Sequence, residues 1–165
     1  MNKHKLTINK TIDFVYILLL LFVVGSVIVL GVVVAPVVFN SAIYLDNTEL
    51  TRFDNGLLMS EIFRRFSNIL NIVLLYITIY HTFKYKELLN SITTIISFVI
   101  FAVSSLLFSF YFNEGVYAFI SKGETWINEH IEIFENFHKA SEIDFTIILF
   151  SALSLAFIEL KKKYH

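Results

Sequence analysis

The chain has 165 residues, of which 56% are hydrophobic and only 16% charged, with a net charge of -1 and a mean hydropathy of +0.70. That balance leaves no basic excess for nucleic acid. The absence of cysteine removes disulfides, thiolate metal sites, cysteine-ligated iron–sulfur clusters and cysteine nucleophiles together. The charges stand in short blocks between long apolar runs, the pattern of an integral membrane protein.

The basic leader MNKHKLTINK precedes an uncharged run of 32 residues, Phe14 to Leu45. A signal-peptide apolar region is about 7–15 residues long, so this run reads as a retained anchor. Gly25, Gly31 and Ala35 give its helix a smooth side that suits close helix packing. Pro36 removes a backbone donor and is expected to kink the distal end of that helix. Asn40, four residues on, is placed to serve either a carbonyl freed by the kink or a pocket.

Phe66 to Phe83 is a second uncharged run, of 18 residues, and Leu88 to Asn113 a third, of 26. A helix rises about 1.5 Å per residue and must cross about 30 Å of hydrocarbon, so roughly 20 residues are needed. The second span must therefore begin near Gly56 or Leu57 and carry Glu61, Arg64 and Arg65 through the interface. Ser91, Thr94, Ser97, Ser104, Ser105 and Ser109 in the third run read as packing and hydrogen-bonding residues. Asn113 to Phe137 reads as a long outer loop, in which Ile127, Ile131, Phe134 and Phe137 recur at helical spacing. This stripe suits an interfacial helix or an extension of the fourth span. The fourth run, Phe145 to Ile158, has only 14 residues and spans only if it starts near His138.

These elements give an all-α fold: one integral membrane four-helix bundle over residues 1–165. The spans are approximately 13–39, 58–83, 88–112 and 138–160, with an amphipathic helix in the long outer loop. Lys3, Lys5, Lys10, Lys84, Lys86, Lys161, Lys162 and Lys163 then lie on one side. Arg52, Arg64, Arg65, Lys122 and Lys139 lie on the other. The lysine excess places both termini in the cytoplasm, with a bacterial inner membrane as the expected location.

The short fourth run puts His138, Ser141, Glu142 and Asp144 at the outer interface. Ionisable groups at membrane depth normally face the bundle interior and find a partner. On the second span, Arg64, Asn68, Asn71 and Thr78 share one helical face. The expected site is thus an outward-opening polar pocket. It is built from Glu61, Arg64, Arg65, Asn68 and Asn71 on one helix and His138, Ser141, Glu142 and Asp144 on another, with Asn40 nearby. Arg64 or Arg65 should reach Glu142, Asp144 or His138 directly or through one water. On this reading His138→Ala and Arg64→Ala abolish function, whereas His81→Ala and His130→Ala are mild. The competing reading is a salt-bridge clasp that only orients the helices.

Glu135 and His138 form E-x-x-H, the spacing of di-metal carboxylate bundles, but such sites need a second copy and further acids. His81 and His138 lie at opposite ends of their helices and cannot share one haem iron. Haem or a metal ion as cofactor is left open. No Gly-rich phosphate loop, serine triad or H-E-x-x-H occurs, so no catalytic residue is assigned.

Three segments, GVVVAPVVF, LLMSEIFRRFSNI and FENFHKASEI, resemble the transmembrane-protein-205-like family. That family comprises small four-span membrane proteins of unassigned biochemical function. The resemblance rests on Ala35, Pro36 and Phe39, on Phe63, Arg64 and Arg65, and on His138 and Ser141. It implies a membrane fold and no particular activity, although a eukaryotic relative is linked to platinum-drug resistance. Three functions stay open: binding or moving a small solute or metal ion in the polar pocket, acting as a structural or accessory subunit, or haem-dependent redox chemistry. The bilayer is the expected partner, with self-association open and nucleic acid excluded.

Overall fold

A computed structural model describes residues 3–45, 50–86 and 91–164. Apart from α1, α4 and α8, which are named below, its helices are α2 (Ala35–Phe39), α3 (Ser41–Tyr44), α5 (Ile92–Leu107), α6 (Asn113–Ile120) and α7 (Glu124–Glu129). Four continuous helical stretches are long and apolar enough to cross a membrane: Lys10–Phe39, Arg52–Tyr85, Ile92–Ile120 and Ile131–Lys162.

The first long helix, α1 (Lys3–Ile28), passes through a π-helical turn at Val29–Val34 into α2. Pro36 lies in the first turn of α2, where it has no N–H to donate back into the preceding turn. The wide π-turn just before it relaxes the ladder that the proline ring would otherwise obstruct. The expected disturbance at Pro36 therefore takes the form of a π-turn. Asn40 closes this end by donating from Nδ2 to the Pro36 carbonyl at 2.7 Å.

The second long helix, α4 (Arg52–Lys86), begins well before Gly56. Its start is a reciprocal cap: Asp54 Oδ2 accepts from the Thr51 backbone N–H at 2.9 Å, and Thr51 Oγ1 accepts from the Asp54 N–H at 3.2 Å. This is the capping-box arrangement at T-x-x-D. Ser41 Oγ donates to Asn55 Oδ1 at 3.0 Å in a buried contact that ties α3 to the first turn of α4.

The third stretch runs without a break from α5 through a π-turn at Phe108–Phe112 into α6. The expected long outer loop is thereby corrected. Most of it is helix, and the connection shrinks to Ser121–Gly123 and the short α7. Gly123 adopts φ 91°, which favours glycine. The helix break at His130 leaves Ile127 on α7 and puts Ile131, Phe134 and Phe137 on the final helix, α8 (Ile131–Tyr164). The stripe thus belongs chiefly to an extension of the fourth span. A side chain at Gly115 would overlap the Phe137 ring, so the glycine is what lets α8 approach α6 here. The residues expected to open the third span at 88–90 lie outside the described residues, as do the side chains of Lys3, Lys5, Lys86 and Lys163.

Around the bundle the order is α1, α8, α5, α4, with α4 returning to α1. All neighbours run antiparallel. Tyr16 of α1 meets His81 near the end of α4, Phe66 meets Phe108, and Ser97 meets Ser154. Leu20, Val23, Leu70, Ile77, Phe101, Ile148 and Leu155 fill the core. Outside it, Val32, Ile72, Phe110, Phe150 and Phe157 are each more than 60% exposed. An apolar belt of this kind matches hydrocarbon, not water. Both described chain ends lie at one end of the bundle, here the terminal end; the Arg64 end is the distal end.

The Ser97 and Ser154 hydroxyls lie 3.2 Å apart across α5 and α8. In this cysteine-free chain, Ser97→Cys combined with Ser154→Cys should form an intramolecular disulfide on mild oxidation, seen as a reducible mobility shift. Val99→Cys with Ser154→Cys should not, because Val99 faces away from α8. Absence of the first bridge would contradict the α5–α8 pairing.

Candidate functional site

At the distal end, charge is settled within single helices. Glu61 accepts from Arg64 Nε at 2.6 Å and Nη2 at 2.9 Å, and from Arg65 Nε at 2.8 Å. These are i,i+3 and i,i+4 contacts, available before any neighbouring helix arrives. His138 Nε2 lies 3.2 Å from Glu142 Oε1, again one turn along the same helix. Among the described residues, neither arginine pairs with His138, Glu142 or Asp144. The expected bridge from α4 to α8 is therefore not formed.

The expected polar face of α4 also points elsewhere. Asn68, Thr78 and Arg64 are exposed and Asn71 is half-buried. The buried face instead carries Phe66, Ser67, Leu70, Leu74, Ile77 and His81. Ser67 is turned inward because its hydroxyl accepts from Asn113 Nδ2 of α6 at 3.2 Å. Arg64 lies beside a recess of about 350 Å³ with Ser60, Glu61, Asn113, Glu114 and Tyr117. The partner element of this recess is α6, not α8. Glu135 is exposed, and no three of His, Cys, Asp and Glu come together as a metal site among the described residues.

Gly25 and Gly31 have open space where a side chain would project. They mediate no close helix approach among the described residues, and Ala35 is only half-buried. Ser141 is buried and donates to the His138 carbonyl at 2.7 Å.

Asp144 differs from the other acids. It is 5% exposed, faces Ser104 of α5, and its Oδ2 has no hydrogen-bond partner. Ser105 Oγ, Ser109 Oγ and Asn71 Oδ1 are likewise buried without a partner. A carboxylate buried without a cation is costly by several kcal/mol. A position of this kind inside a membrane bundle is by default a candidate functional site.

A polar network that joins different helices lies at the terminal end. The Tyr80 hydroxyl shares its single hydrogen between Asp13 Oδ1 of α1 at 2.9 Å and Glu159 Oε1 of α8 at 3.1 Å. Lys84 Nζ lies 3.0 Å from Asp13 and Lys162 Nζ 3.3 Å from Glu159. Tyr16 stacks on Tyr80 with centroids 4.0 Å apart, and its hydroxyl is hydrogen-bonded to His81 Nε2 at 2.9 Å. His81 in turn stacks on Phe98 of α5 at 4.5 Å. All four long helices thus meet at one level. The sequence did carry a signal: Asp13 and Glu159 flank the ends of two apolar runs, and Tyr76, Tyr80 and Lys84 recur every four residues.

This arrangement sets a ranking of the histidines for stability, separate from the one expected for function. His81 is 4% exposed and bonded across helices, so His81→Ala should destabilise the bundle by about 3 kcal/mol through lost packing and an orphaned hydroxyl. His138→Ala should change stability little, since its only ionic partner among the described residues is Glu142, an exposed residue of its own helix. Thermal unfolding of both variants in detergent checks this, and equal losses would contradict it.

A family model described as a domain of unknown function (DUF4149) matches residues 18–117. No curated protein matches the chain, and no solved structure does. The matched segment runs from α1 through most of α6 and takes in Pro36, Arg64, Ser67 and the Tyr80–His81 pair. With 100 of its 165 residues covered by the match, the chain belongs to the DUF4149 family.

Proposed function

We propose that this protein binds a cation inside the membrane bundle at Asp144, as part of binding or moving a small solute. The observation that carries the reading is the burial of the Asp144 carboxylate with Oδ2 unpartnered. Such a group is relieved by neutralisation, through a proton or a small cation. The nearby serine-rich face of α5 supplies further oxygens of the type that hard cations prefer. The recess beside Glu61, Arg64 and Glu114 gives the distal end a polar entrance.

An unpaired buried charge costs stability and is kept where it serves a function. Asp144→Asn should therefore raise the unfolding temperature in cation-poor buffer and remove its dependence on cations. The test measures the unfolding of purified protein while sodium is exchanged for choline at fixed pH, and then across pH at fixed sodium. Stabilisation by either cation should follow binding to the folded state and be lost in Asp144→Asn. If wild type responds to neither, or Asp144→Asn responds like wild type, the reading falls.

A second reading is supported by the terminal-end network, in which acids, lysines and tyrosines are mutually paired. On that reading the chain is a structural or accessory membrane subunit whose charges clasp the helices. We further propose that the bundle sits in a bacterial inner membrane with both termini cytoplasmic, on the lysine excess at the terminal end. A periplasmically active reporter fused after Lys163 would refute this orientation. Within its family we place the chain with the transmembrane-protein-205-like proteins, on Pro36, Arg64, His138 and their neighbours.

A further inference from the structure

A groove of about 760 Å³ opens on the outside of the α5–α8 seam. Its mouth carries Lys139 and Glu142, its walls are Ile100, Ile143, Ile147 and Phe150, and its floor is hydroxylic. From Lys139 to Ser154 the groove follows α8 over 16 residues, a rise of about 22 Å. Set against a hydrocarbon thickness of about 30 Å, it starts at the distal interface and passes the midplane.

The hydroxyls on the floor are already satisfied. Ser97 and Ser154 bond to each other at 3.2 Å. Ser151 donates to the Ile147 carbonyl at 2.7 Å, and Thr146 to the Glu142 carbonyl at 2.9 Å. Most of these hydrogens are committed within the bundle and the walls are apolar, so the groove suits hydrocarbon better than a polar solute. At the mouth, Glu142 is held by His138, whereas Lys139 has no ion-pair partner among the described residues. Its ammonium is thus available to an anion at the level of the headgroups. A helix about 10 Å across would need more than twice this volume over the same length, so it could rest on the groove but not enter it.

We propose that this groove is a binding site for one phospholipid of the distal leaflet, with an acyl chain between α5 and α8 and its phosphate on Lys139. The site is separate from Asp144, which lies on the inner side of α8. The test uses the full chain in nanodiscs of phosphatidylcholine and phosphatidylglycerol. These are doped with a phospholipid carrying a photoactivatable group halfway along one acyl chain. Cross-links should concentrate on Ile143, Ile147 and Phe150 over the exposed Ile72 and Leu75 of α4. Lys139→Glu, which sits on the surface, should reduce them several-fold without changing α4 labelling. Ile147→Trp should fill the groove and do the same. Equal labelling on both faces would mean ordinary bulk lipid and overturn the proposal. So would groove labelling unaffected by Lys139→Glu.

Discussion

The bundle depends on one shared hydrogen bond donor. Between helices in lipid there is no hydrophobic driving force, because lipid tails are as apolar as leucine; close packing and polar bonds must hold the helices together. Tyr80 supplies this at the point where the helices converge. Its hydroxyl reaches α1 through Asp13 and α8 through Glu159, its ring stacks on Tyr16, and its neighbour His81 carries the contact to Phe98 of α5. The flanking lysines keep both carboxylates compensated, so the network can lie largely out of solvent at modest cost.

Fixing Tyr80 and His81 inward sets the rotation of α4 along its whole length. Counting back in helical steps, Ile77, Leu74, Leu70, Ser67 and Phe66 must also face inward, as they do. Asn68 and Arg64 are then turned outward. The arginines therefore meet Glu61 on their own helix and not the acids of α8. This leaves Asp144 on α8 with α5 as its neighbour and no cation to neutralise it. The candidate site at Asp144 is thus a consequence of the clasp at the other end.

Much of the fold was legible. The four apolar runs gave the four helices, and the shortness of the second and fourth forced their extension past Arg64 and His138. The extension went further than hydropathy alone implied, because the cap at Thr51–Asp54 and the helical character of 113–120 owe nothing to apolar content. The π-turn at Val29–Val34 was signalled only as a disturbance at Pro36, and the one at Phe108–Phe112 has no such signal in the sequence. The site was harder to read. Face-sharing placed Arg64 and Asn68 together correctly, but periodicity fixes only relative angles, not which face turns inward. That choice was made by Tyr80, whose partners Asp13 and Glu159 are 67 and 79 residues away in sequence. Local pairing at one-turn spacing also competes with any longer-range ion pair, and nothing in a single sequence says which wins.

The central claim is that Tyr80 binds α1 to α4 through Asp13. A double-mutant cycle of Tyr80→Phe and Asp13→Asn, with unfolding free energies measured in bicelles, tests it most directly. The account predicts losses that are far from additive, with a coupling of about 1 kcal/mol or more between the two positions. Losses that add to within about 0.5 kcal/mol would mean that the two side chains do not act through one another, and the clasp would not be what holds the bundle.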